Sequence, residues 1–164
     1  MLKKRPAGQK TNKEEMNMNA YRKLKDKHQK EVNDFPMFFA FSNKQFEEGM
    51  KKLGLDPEDT DKIYKFGNTG GFYRKSDSPA LHEMFDRHKK EMDEAIAADE
   101  TGEGFIYEMF DYELAKHEYG YTRDCGPAFD ALGLTVEEIR ADKRMINGLN
   151  KARKKQIEWY NQNN

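Results

Sequence analysis

The 164-residue chain is 36% hydrophobic and 36% charged, with 29 Lys/Arg against 30 Asp/Glu. That length suits one domain, and no run approaches the roughly 18 apolar residues of a membrane-spanning helix. Residues 1–13 lack the apolar core of a secretory signal, and the lone Cys125 excludes an intramolecular disulfide or a CxxC metal knuckle, so the sequence predicts a cytoplasmic protein.

Residues 1–12 read as a disordered basic arm, and 13–164 as a single α+β domain with a basic C-terminal helix. Met16, Ala20, Leu24, His28 and Val32 recur every four positions and predict a helix over 13–33 with a narrow apolar stripe. The aromatic run Phe35–Phe41 predicts a buried strand over 36–41, with Pro36 at its start. Ser42 and Gln45 form a capping-box pattern, opening a helix that buries Phe46, Met50 and Leu53 and stops at Gly54. Asp56-Pro57 starts only a short turn. Segments 62–66 and 71–75 flank Gly67-Asn68-Thr69-Gly70-Gly71, which predicts a hairpin.

Ser78-Pro79 opens a helix through Ala98, faced by Leu81, Met84, Phe85, His88, Met92, Ala95 and Ile96. Thr101-Gly102-Glu103-Gly104 ends it. Phe105–Phe110 fits either a strand or the first turns of a helix. Asp111 as an N-cap favours the strand, which would lie at 104–108. Gly126-Pro127 opens a short helix closed by Gly133. A Thr135/Glu138 capping box then starts a long final helix over 136–160, lined by Val136, Ile139, Ile146, Leu149 and Ile157. The fold predicted is α+β: a small, mostly antiparallel sheet packed against the helices at 43–53, 79–98 and 136–160.

The near-zero net charge conceals an uneven layout. Residues 1–30 carry a net +7, residues 31–139 a net −13 and residues 140–164 a net +5. Two readings stay open: the basic ends fold back on the acidic body, or each surface meets a charged partner. The acidic candidates for a protein partner are Glu47, Glu48, Asp56, Glu58, Asp59 and Asp61, and then Asp93 and Glu94, followed by Asp99, Glu100 and Glu103. The basic candidates for nucleic acid are Arg5, Arg22, Lys23, Lys151, Arg153, Lys154 and Lys155, with Tyr21, Trp159 and Tyr160 as the aromatics on the basic helices.

Catalytic patterns are incomplete. The glycine loop lacks the Gly-Lys-Ser/Thr ending of a phosphate loop and joins two strands, so it reads as a turn. His82 and Asp86 share a helical face, and with His117 or Glu113 they would make a three-ligand metal site for a hydrolase. Glu113 and His117 form a second i, i+4 pair, an acid–base candidate if buried. Cys125 begins a helix without a general base in evident reach, which predicts a structural thiol. No cofactor is expected, and the chain reads as a non-enzymatic binding protein.

Phe38-Phe39-Ala40-Phe41-Ser42-Asn43-Lys44-Gln45-Phe46-Glu47-Glu48-Gly49, together with Gly120-Tyr121-Thr122-Arg123-Asp124, resembles small uncharacterised proteins carried by phages and integrative elements of Firmicutes, over residues 34–140. The resemblance brings no catalytic motif. It implies a setting in which such accessory proteins counter host defences, CRISPR nucleases included. The expected partner is therefore a host protein whose basic nucleic-acid groove the acidic residues occupy, without membrane association. Nucleic acid bound at the basic ends is the alternative, and the metal-dependent hydrolase the next.

Overall fold

A computed structural model describes residues 19–164. Helix α1 (Ala20–Asp34) leads into β1 (Met37–Phe39), α2 (Asn43–Lys52), a 3-10 turn, and the hairpin β2 (Ile63–Phe66) and β3 (Gly71–Arg74). Then come α3 (Ser78–Ala98), α4 (Phe105–Lys116), α5 (Tyr119–Thr122), α6 (Gly126–Leu132), α7 (Val136–Arg140) and α8 (Lys143–Asn163). The chain is α+β. It divides into two compact units, residues 28–92 and the remainder, with α1 and α3 each contributing residues to both. The arm expected at 1–12 lies outside the described residues.

The unit at 28–92 is built on a three-stranded antiparallel sheet of order β1-β3-β2. Met37 faces Tyr73 and Phe38 faces Phe72, while Tyr64 faces Tyr73 on the other side of β3. Alternation along the strands splits the apolar residues between two faces. Phe38 and Ile63 bury against Met50 and Leu53 at the end of α2, and Phe72 and Phe46 pack around them. Met37 and Tyr73 bury against Leu81 of α3, with Phe66 and Phe85 stacked at 5.9 Å. Gly49 lets α2 approach, since a Cβ there would lie 2.1 Å from the Phe38 ring. The last turns of α1 are tied to α3 by polar groups. Glu31 accepts from Arg87 and lies 2.7 Å from His88 Nε2, His28 meets Glu91 at 2.8 Å, and the two imidazoles stack at 3.9 Å.

The hairpin forms as its sequence predicts, with positive φ at Gly67 and Gly70. The strand expected at 36–41 is shorter, Met37–Phe39, and its burial stops at Phe38: Phe39 is 51% and Phe41 79% exposed. The Ser42 hydroxyl accepts from Gln45 N–H as expected, but Gln45 reaches back to the amide of Phe41, one residue before the cap.

The other unit is helical. Phe105–Lys116 is one helix, so the strand expected at 104–108 is absent and Asp111 sits mid-helix. The N-terminus is capped from a distance instead: the Asp99 carboxylate accepts from the amides of Gly102, Gly104 and Ile106 at 2.9, 3.1 and 3.0 Å. Asp99 therefore turns inward rather than projecting. Burial works against its charge, but those amides hold its carboxyl below the ordinary range. The final helix expected over 136–160 is two. The Thr135/Glu138 capping box starts only the five-residue α7, and Asp142 caps α8 anew.

Within this unit the C-terminal helix packs chiefly on α4. Its buried line is Met145, Gly148, Ala152 and Gln156, whereas the larger Ile146, Leu149 and Ile157 flank it half-buried. The reason is close approach. A Cβ on Gly148 would stand 2.5 Å from the Gly102 carbonyl oxygen and 3.0 Å from the Tyr107 backbone nitrogen. Gly148→Ala should therefore cost about 2–3 kcal/mol, because backbone rather than a flexible side chain must move. Chemical denaturation at constant m-value measures that cost.

Candidate functional site

The predicted charged residues have unequal fates. Glu47, Glu48, Asp56, Glu58 and Asp61 are exposed on the 28–92 unit, interleaved with Lys44, Lys51, Lys52 and Lys62. Asp59 is occupied within the fold: it accepts from the Asp56 amide at 3.0 Å and pairs with Lys62 at 3.2 Å. Those two contacts, the amide first, hold its carboxyl below the ordinary range. Asp93 and Glu94 are exposed on α3. The strongest acidic bias lies at 93–139, with 13 acidic residues against two basic, in the same unit as α8.

The basic helices do fold onto acidic and aromatic groups of that unit. Lys155 pairs with Asp111 at 2.6 Å, and Lys151 lies 4.4 Å from the centre of the Tyr107 ring. Arg153 donates to the Tyr119 hydroxyl at 2.8 Å, and Lys154 is 4.0 Å from Glu158. Arg22 and Lys23 are exposed on α1, and Arg5 lies outside the described residues. Tyr21, the aromatic that the sequence sets among the cations of the first basic helix, is 2% exposed.

His82 and Asp86 are exposed on α3, and His82 Nδ1 turns back to the Ser78 carbonyl at 2.7 Å. Among the described residues no group of three or more His, Cys, Asp or Glu is placed to hold a metal ion. The Cys125 thiol is pushed up by burial, with Arg153 acting in the opposite direction.

Glu113 and His117 do come together, in a setting that spacing alone could not show. Glu113 has no solvent exposure. Its Oε1 accepts from the Tyr21 hydroxyl at 2.6 Å and from Lys25 Nζ. Its Oε2 lies 3.5 Å from His117 Nε2, and neither atom makes a hydrogen bond. Burial works to raise the Glu113 pKa, but the Lys25 and Tyr21 bonds outweigh it and hold the carboxyl below its ordinary range. Tyr21 is driven far above the usual phenol, by burial first and by Glu113 second. The arrangement locks α1 to α4 and keeps Glu113 ionised.

The 28–92 unit carries a groove of about 810 Å³ along the outer edge of β1. Its floor is Met37, Phe38, Phe39 and Phe66; Gln29, Val32 and Asn33 of α1 form one wall, and Gln45, Glu48 and Lys52 of α2 the other. Phe39 and, two residues beyond, Phe41 lie over the hairpin: a Cβ on Gly71 would meet the Phe39 ring at 2.9 Å, and one on Gly70 the Phe41 ring at 2.6 Å. Sequence reading placed both phenylalanines in the core. Exposed apolar rings beside a groove mark a contact surface more strongly than mixed surface charge does.

Two measurements test the buried network. Tyr21→Phe should destabilise by about 1–2 kcal/mol, the cost of removing one partner from a buried carboxylate bond. Glu113 and Asp99 have lowered folded-state pKa values, and Arg87 and then His88 hold Glu31 at about 2. A depressed carboxyl stabilises above its unfolded value and loses that stability as pH falls through its folded one. The melting temperature should thus hold from neutral pH to about 5 and fall steeply between about 4 and 2, with a smaller acid loss in Tyr21→Phe.

No curated protein and no solved structure matches the chain. A family of unknown function, DUF7659, matches residues 20–155, which span α1 to the penultimate turns of α8 and hence both the groove and the Glu113 network. The chain belongs to the DUF7659 family.

Proposed function

We propose that the protein is a non-enzymatic binding protein whose contact surface is the groove beside β1, anchored by Phe39 and Phe41. The observation that carries this reading is the exposure of those rings, 51% for Phe39 on the floor of the groove and 79% for Phe41 two residues beyond it. Burying aromatic side chains on association supplies most of the energy in small interfaces. Glu48 lines the groove, and Glu47, Asp56, Glu58 and Asp61 lie exposed on the same unit, so charge would favour a basic protein surface. The partner in this reading is a host protein. The resemblance to accessory proteins of mobile elements makes a defence nuclease of the CRISPR type the first candidate, inhibited by occupation of its nucleic-acid groove.

The test is cleavage of target DNA by a panel of purified CRISPR nucleases with the protein added. Wild type should slow at least one of them, and raising the salt should weaken the effect. Phe39→Ser with Phe41→Ser should cost about tenfold or more in inhibition, as for anchor residues. Glu47→Lys, Glu48→Lys and Asp61→Lys together should abolish it without lowering the melting temperature. Asp61 is chosen over Asp59 because Asp59 holds its own turn. No inhibition across the panel, or full inhibition by the phenylalanine variant, rejects the reading.

A second reading has its own observation. Trp159 is 59% and Tyr121 73% exposed, and Arg123 sits over Tyr160, which tilts against Tyr121. Exposed rings beside cations suit stacking of single-stranded bases. Fluorescence anisotropy with an oligothymidine should then show binding that falls steeply between 50 and 200 mM salt and is lost in Trp159→Ala with Tyr121→Ala. Absence of binding at 50 mM salt removes this reading.

A further inference from the structure

We infer that the groove takes an extended peptide of the partner as an added strand on β1, with a cationic and an anionic side chain two residues apart and an apolar side chain between them. The inference rests on the groove being the contact surface and names what occupies it.

Three observations meet here. First, among the described residues β1 is an edge of the sheet, bonded to β3 on its inner side and to no strand on its outer side. Ala40 N–H donates to the Gly70 carbonyl at 3.0 Å. Antiparallel pairing alternates, so Phe38 shares that inward phase with Phe72. The amides and carbonyls of Met37 and Phe39 therefore point outward, into the groove that these residues line. An open edge with outward donors and acceptors is a template for another strand.

Second, the two walls differ. On the side of α1 the groove presents Val32 over Met37, Phe39 and Phe66, beside Gln29 and Asn33, whose amides bond to each other at 2.9 Å and carry no charge. On the side of α2 the groove presents Glu48 and Lys52. Among the described residues neither makes an ion pair or a hydrogen bond. A strand laid between the walls sends alternate side chains to each.

Third, the charges match a strand's repeat. Glu48 and Lys52 are four residues apart on α2, about 6 Å along the helix axis. Residues two apart on a strand are separated by about 6.6–6.8 Å. A peptide can thus set a cation against Glu48 and an anion against Lys52 while the residue between them enters the apolar side. Like charges at either place would be repelled.

The probes are two labelled peptides, acetyl-Val-Lys-Val-Glu-Val-amide and its charge-reversed form with Glu first, read by anisotropy on the full chain. One order should bind, since the strand direction selects it. The double variant Glu48→Lys with Lys52→Glu should exchange the preferred peptide, by at least about tenfold, at an unchanged melting temperature. Backbone N-methylation should abolish binding at one set of alternate peptide residues and be tolerated at the other, because only every second amide faces β1. Binding of neither peptide overturns the inference, as does equal binding of both or N-methylation effects without the two-residue period. The nuclease assay run beside it separates the two levels. Inhibition that depends on Phe39 and Phe41 in a protein that ignores the peptides rejects strand addition alone, whereas failure of both rejects the groove as the contact surface.

Discussion

Glu113 is an ionised carboxylate without solvent exposure, set on α4 among Ile106, Met109, Phe110 and Leu114. An unpaired charge there would cost more than the surrounding apolar burial returns, so the helical unit is organised around keeping it paired. Both donors to its Oε1 come from α1, Tyr21 one turn before Lys25. Tyr21 also meets Phe105 and Tyr112 edge-on at 5.7 and 5.6 Å. One carboxylate thus converts a weakly apolar helix into an element with a single docking position.

The same economy recurs wherever this charge-rich chain meets itself. Asp99 gathers backbone amides to start α4, and Arg144 donates to the carbonyls of Ile96 and Asp99 where α3 ends, at 3.1 and 2.7 Å. Asp111 receives Lys155 and Gln156. In the 28–92 unit, Glu31 and Glu91 share Arg87 and take one histidine each. Charges spent on these contacts are withdrawn from recognition. In the groove beside β1, by contrast, exposed Phe39 stands next to Glu48 and Lys52, which make no ion pair or hydrogen bond among the described residues.

The proposed contact surface is the part of the sheet left uncovered among the described residues. Helices lie over both of its faces, so the aromatic residues of β3 are enclosed. The β1 edge is bordered rather than covered, and the polypeptide leaves it through Phe39 and Phe41 before Ser42 starts the next helix. Gly70 and Gly71 give those rings a place to lie because a Cβ at either position would strike them.

Local signals in the sequence determined much of the secondary structure: the Ser42 and Thr135 caps, the glycine hairpin, the helix over 78–98 and the Gly133 stop all rest on interactions within a few residues. The i, i+4 spacing of Glu113 and His117 was equally legible. What tertiary structure decided depends on partners far along the chain. The segment at 104–108 became helix because Asp99 caps it and α8 packs on it, overriding a residue pattern that also fits a strand. The line of contact on α8 runs through Gly148 and Ala152 rather than the larger apolar residues, since proximity of backbones is invisible to hydrophobic periodicity. Tyr21 was buried by a carboxylate 92 residues away. Phe39 and Phe41 were left in solvent because the helices that bury Phe38 and Met37 do not cover the end of β1 and the residues beyond it, and an aromatic run reads the same whether or not a distant element covers its rings.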